Sequence, residues 1–135
     1  MDAAQLDQEW ESLLRDFPED LSLHCRRYDS LIEASRWQDA AATVDAIEKA
    51  YPDNPFVLAR RCEILSHDKR IEDALDVALR VSFLPVLEST WPAEKIWDTA
   101  LKGKFAEKLY RRFRQRLMDG EQPNIGSFSS MAAYV

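Results

Sequence analysis

At 135 residues the chain is long enough for one domain with a real core. Hydrophobic residues make up 46% and charged residues 31%, while 3 glycines and 6 prolines suit helices and argue against an all-β fold. There is no apolar run of the roughly 18 residues a membrane span needs, and Met1-Asp2-Ala3-Ala4-Gln5 lacks the basic and apolar regions of a secretory signal. Cys25 and Cys62 do not make a disulfide framework, so a cytoplasmic setting with reduced thiols is expected. The net charge of −6 is uneven. Residues 1–101 hold 11 basic and 21 acidic groups, whereas 102–116 hold seven basic residues against Glu107 alone. An acidic body thus carries one basic helix.

Leu6, Trp10, Leu13 and Leu14 share one helical face, which predicts a helix over 3–16, ended by Phe17-Pro18. A second helix is expected over 20–35, with Asp20 as N-cap and Leu21, Leu23, Tyr28, Leu31 and Ile32 as its apolar positions. A third over 37–50 has the narrow face Ala40, Val44 and Ile47, and Tyr51-Pro52-Asp53-Asn54-Pro55 breaks it. Helix 55–67 opens on Pro55, where a missing N–H costs little. After Asp68-Lys69-Arg70, helix 71–82 carries Ile71, Ala74, Leu75, Ala78 and Val81. Leu84-Pro85-Val86-Leu87 reads as an apolar connector packed on what precedes it. Thr90 is the expected cap of a helix from Trp91-Pro92 to about Leu101, and Gly103 marks a break or kink. The spacing Leu101, Phe105, Leu109, Phe113, Leu117 predicts a buried stripe on a helix over 104–118, stopped by Asp119-Gly120. The segment from Pro123 to Val135, polar and then apolar, reads as a short helix or as the start of further structure.

Several of these positions echo each other at an offset of 34. Phe17-Pro18 recurs as Tyr51-Pro52, Tyr28 as Cys62, Leu31 as Leu65, Trp37 as Ile71, Asp39-Ala40 as Asp73-Ala74 and Ile47 as Val81. Such a period marks helix pairs that bury their apolar faces by stacking on neighbours. The echo stops after Phe83.

The pattern resembles the tetratricopeptide repeat, a 34-residue helix–turn–helix unit, over about residues 3–83. Pro52 stands at the closing proline, Ala40 and Ala74 at the small residue of the second helix, and Trp37 at the aromatic before it. The unit departs from the family where His24 and Leu58 replace its tryptophan and where Arg27-Tyr28 and Arg61-Cys62 replace its Leu-Gly pair. The resemblance implies an all-α fold, a right-handed stack of antiparallel helix pairs with a C-terminal helical cap. Residues 1–120 form a single domain in this reading, made of a partial unit 1–18, units 19–52 and 53–86 and a non-repeating cap over 91–119, followed by a tail over 121–135.

The resemblance further implies a concave groove built from first helices. Its groove-facing positions map onto Ser22, Cys25, Arg26, Asp29, Ile32 and Glu33, then Phe56, Ala59, Arg60, Glu63, Ser66 and His67. Arg26 over Arg60, and Asp29 over Glu63, would give a mixed-charge surface suited to a partner's peptide or helix. The same residues could instead pair within each helix at i, i+3, as Arg26–Asp29 and Arg60–Glu63. The alternative binding surface is the basic helix, through Lys104, Lys108, Arg111, Arg112, Arg114 and Arg116, which could meet nucleic acid or another anion. An intrachain role facing the acidic body is the other reading of those cations, and the sequence pI of 4.9 counts against nucleic acid.

No metal site is expected, since His24, Cys25, Cys62 and His67 lack the spacing of a structural zinc site. No nucleotide motif is present, and no nucleophile–base constellation points to an enzyme. Trp10, Trp37, Trp91 and Trp97 read as packing residues. The function expected is therefore a non-catalytic, cofactor-independent scaffold or adaptor binding a protein or peptide, with no membrane partner. It could be the accessory domain of a larger protein. Exposed apolar end helices of a short stack also invite a homodimer.

Overall fold

The computed structural model describes residues 1–85 and 88–135. Among them are eight α-helices and no strand. The helices are α1 Ala3–Asp16, α2 Leu21–Glu33, α3 Trp37–Ala50, α4 Pro55–His67, α5 Ile71–Ser82, α6 Trp91–Lys102, α7 Ala106–Met118 and α8 Ile125–Tyr134. The all-α class is thus as expected, and no helix among the described residues is long and apolar enough to cross a membrane. The described residues fall into two compact units, Met1–Ala50 and Tyr51–Val135.

In the first unit, α1 begins with a reciprocal capping box. Gln5 N donates to Asp2 Oδ1 at 2.8 Å, and Asp2 N donates to Gln5 Oε1 at 2.9 Å. α2 starts at Asp20, whose carboxylate accepts from Leu23 N at 3.1 Å. α2 and α3 pack together, burying Cys25, Tyr28 and Leu31 on one side and Ala40, Val44 and Ile47 on the other. Tyr28 has no exposed surface, and the short and branched side chains of α3 leave room for its ring. α1 packs on α2 but buries no residue. Ion pairs hold it instead, since Asp7 accepts from Arg27 at 2.8 Å and from Arg36 at 2.7 Å. These two guanidinium groups, Arg36 first, lower the Asp7 carboxyl from its ordinary 3.8 to about 2.

In the second unit, α4 packs on α5 and α6, α5 packs on α7, and α6 packs on α8. One continuous core joins them, including Leu58, Cys62, Leu75, Ile96, Trp97, Leu109, Phe113 and Met131. Asn54 caps α4 by accepting from Phe56 N at 2.9 Å. Asn124 caps α8 by accepting from Ser127 N at 2.9 Å, and its amide donates to Val81 O at 2.8 Å. One buried side chain therefore both starts α8 and ties it to the end of α5. The segment read from sequence as a tail is in fact this packed helix.

Two sequence expectations differ from the structure here. The helix at Trp91 takes its side-chain cap from Ser89, whose hydroxyl accepts from Trp91 N at 3.2 Å, while Thr90 turns its hydroxyl to Glu94. The stripe from Leu101 to Leu117 is also broken. Phe105, Leu109 and Phe113 are buried, but Leu101 is 55% exposed. The helix ends at Lys102 and restarts at Ala106, so the i, i+4 register does not run across the turn. Of the apolar connector, Val86 and Leu87 lie outside the described residues.

The helix–helix turns show a regularity the sequence hides. Ser35, Lys69 and Lys104 are the described non-glycine residues with positive φ, at 58°, 63° and 60°. The following amide reaches back five residues in each case, Arg36 N to Leu31 O at 2.8 Å, Arg70 N to Leu65 O at 2.9 Å, and Phe105 N to Ala100 O at 2.9 Å. This is one left-handed helix stop used three times, at spacings of 34 and 35. In the first two turns an arginine follows and pairs at i, i+3, Arg36 with Asp39 and Arg70 with Asp73. In the third, buried Phe105 stands there instead. Sequence self-similarity ends at Phe83, but turn geometry does not. Gly103 permits this third turn, because a Cβ there would intrude on the Ser66 hydroxyl and lie 2.9 Å from the Phe105 ring.

Candidate functional site

The residues expected to face a partner lie in both units, and each set is described on its own helix. On α2, Arg26 and Glu33 are exposed and Asp29 is half-buried. Their neighbour Arg27 faces the other way, toward Asp7 and over the Trp10 ring at 5.8 Å.

On α4 the residues are differently placed from an open groove. Arg60 is only 6% exposed. Its guanidinium lies 4.4 Å from the centre of the Trp91 ring and donates to Phe56 O at 3.0 Å. Phe56 stacks on Trp91 at 5.9 Å and 15° between planes. Glu63 accepts from Lys95 Nζ at 2.6 Å, with both side chains largely covered. Trp91 and Lys95 both belong to α6, so Arg60 and Glu63 are turned to the next helix rather than to solvent. The physical reason is local. A guanidinium can leave water when an aromatic face and a backbone carbonyl replace its hydration. His67, at the C-terminal end of α4, is exposed.

Beside this stack the second unit has an open cleft of about 600 Å³. Pro55, Phe56, Leu84, Pro85 and Pro92 make its apolar walls, and Asp53 and Glu88 contribute carboxylates. Asp53 is ion-paired with Arg80. A surface of aromatic and proline rings with an acidic rim suits an extended apolar segment carrying positive charge. Sequence reasoning missed this cleft. Phe56 was legible as a groove position and Trp91-Pro92 as a helix start, but nothing in their spacing brings them together.

The basic helix is largely engaged inside the chain. Arg112 donates to Glu72 at 2.6 Å, with Lys108 Nζ 3.9 Å from the same carboxylate. Arg111 pairs with Glu107 at 2.7 Å. Arg116 pairs with Glu121 at 2.7 Å and lies over the Phe83 ring at 4.1 Å. That contact raises the Arg116 pKa and lowers that of Glu121. Lys104 and Arg114 make no ion pair among the described residues.

Both cysteines are buried. Burial pushes the Cys62 thiol up to about 12, and its Sγ lies 3.5 Å from Ala74 O. His24 Nε2 lies 2.9 Å from Pro18 O. Among the described residues no group of three or more His, Cys, Asp or Glu side chains is arranged to hold a metal ion. Trp97 is buried against Phe113 and Tyr134, so it packs as expected. Compared with protein-family models, curated proteins and solved structures, the chain matches none.

Proposed function

We propose that this chain is a non-catalytic, tetratricopeptide-like helical repeat module that binds a protein or peptide partner. One observation carries the reading. The same left-handed helix stop closes three successive first helices, so the chain is built as repeated helix pairs. Such stacks expose continuous helix faces, and their usual product is a binding surface. On α2 the contacting residues would be Arg26, Asp29 and Glu33. On the second unit, burial of Arg60 and Glu63 moves the surface outward, to His67 and to the Phe56 cleft with its acidic rim. The partner favoured there is an extended segment with apolar and basic side chains. A cytoplasmic scaffold or adaptor role, alone or beside a catalytic domain, fits this reading. A second copy of the chain is the other partner it allows. Nucleic-acid binding through residues 104–118 is less favoured, because four of its cations already face intrachain carboxylates.

Selection of a displayed random-peptide library on the intact chain tests the reading. Enriched peptides should be basic and apolar, and their binding should fall with Phe56→Glu or with Arg26→Glu while the thermal melt is unchanged. Peptides bound equally well by both variants would overturn it. Retention of nucleic acid that salt releases, lost on Arg114→Glu, would transfer the function to α7.

A further inference from the structure

Two exposed faces of the chain are complementary in both hydrophobicity and charge. The first lies on α1. Asp2, Leu6, Glu9, Leu13 and Asp16 fall at i, i+4, i+7, i+11 and i+14, one continuous stripe of a helix. Leu6 is 45% and Leu13 40% exposed, and Phe17 at the end of the stripe is 55% exposed. Asp7, on the other side, is the residue that binds Arg27 and Arg36. Glu9 and Asp16 make no ion pair among the described residues. The stripe therefore presents leucines between carboxylates that no intrachain cation neutralises.

The second face lies where α7 meets α8. Leu117, Pro123, Ile125 and Phe128 line an open cleft of about 330 Å³. Ile125 is 85% exposed and Phe128 49%. Arg114, one turn before Leu117 on α7, is exposed and is a cation of that helix without an ion pair among the described residues. The face thus offers an apolar cleft with a positive rim.

We propose that these two faces bind each other between copies of the chain. The α1 stripe of one molecule seats on the α7–α8 cleft of the next, with Leu13 and Phe17 toward the cleft and Glu9 and Asp16 toward Arg114. The charges choose this mode over a symmetric one. An α1–α1 contact would set Asp2, Glu9 and Asp16 against their own copies, and a contact between two α7–α8 faces would oppose Arg114 to itself. The contact is heterologous, so it leaves one unused face on each terminal molecule and association continues past the dimer. This sharpens the self-association named under the proposed function, and it stands or falls apart from peptide binding at Phe56 or Arg26.

The test uses the full chain, with molar mass measured by light scattering over a concentration series. The wild type should rise from the single-chain 15.6 kDa through the mass of two chains and beyond. Leu13→Glu and Phe128→Glu, both at exposed positions, should each remain single chains with unchanged helical circular dichroism. Mixed in equal amounts, they should form a pair that grows no further, since each retains the face the other lacks. Glu9→Arg and Arg114→Glu give a second route that leaves the apolar residues intact. Each alone should weaken association about tenfold, and the two mixed should recover it. A wild type that stays at single-chain mass, a single variant that still pairs, or mixed variants that do not would each overturn the proposal.

Discussion

The first and second helix pairs share a 34-residue register but bury very different amounts of side chain. α2 and α3 bury three residues each, whereas α4 buries eight and α5 six. The equivalent position is Tyr28 in one pair and Cys62 in the other, and both are wholly covered. Periodicity alone cannot produce this difference. In the second unit α6 lies on α4 and α7 lies on α5, so each helix is covered on more than one side. In the first unit the α2–α3 contact rests on one large ring against small partners. The repeat pattern specifies the helix and its stop, and the neighbours decide how much of it becomes core.

The sharpest test replaces the two equivalent residues. Tyr28→Ala should cost about 3–5 kcal/mol in denaturant unfolding, because no neighbour can refill a tyrosine-sized hole. Cys62→Ala should cost about 1 kcal/mol, the loss of roughly one methylene-sized group. If the order reversed, the first pair would not depend on its ring as described. Gly103→Ala should cost about 1–3 kcal/mol, since the added methyl meets Ser66 and the buried Phe105 ring. An unchanged melting temperature would show that the third turn is looser than its geometry.

Smaller gains should follow at the left-handed residues. Ser35→Gly, Lys69→Gly and Lys104→Gly should each stabilise by about 0.5–1 kcal/mol, as relief of the positive-φ cost exceeds the entropy lost on folding. Equal gains at all three would extend the likeness of the turns into their energetics, whereas a gain at only two would separate the third pair from the others. The smallest effect concerns α1. The Asp7 pKa is depressed on folding, so its contribution is present above the ordinary 3.8 and is lost as pH falls toward about 2. Asp7→Asn should therefore lower the melting temperature slightly at neutral pH, with the difference closing near pH 2. A difference that persisted there would assign the role to something other than the carboxylate.

Much of the helical layout was legible. The bounds of α1, α3, α4 and α5 follow from apolar spacing, from Pro18, Pro52 and Pro55, and from the echo between the first two pairs. The third pair was not legible as a repeat. Its turn replaces the Arg-Asp pairing of Arg36 and Arg70 with buried Phe105, so the backbone recurs without the residues that announced it. Arg60 misled for a different reason. An arginine on a polar helix face reads as exposed, and its cover, Trp91, comes from a helix far along the chain. The Phe56 cleft was hidden in the same way. α8 was only partly readable, because Asn124 makes its defining bonds to Val81 and Ser127 together.

The burial of the two thiols has a practical consequence. Cys25 lies in the first unit and Cys62 in the second, and the sequence holds no other cysteine. A thiol raised to about 12 barely reacts with an alkylating reagent until its surroundings open. The rate at which Cys62 is labelled under native conditions is thus a clock for the opening of the second unit, and the rate at Cys25 is a separate clock for the first. A single mass-spectrometric time course would read both, with no engineered probe.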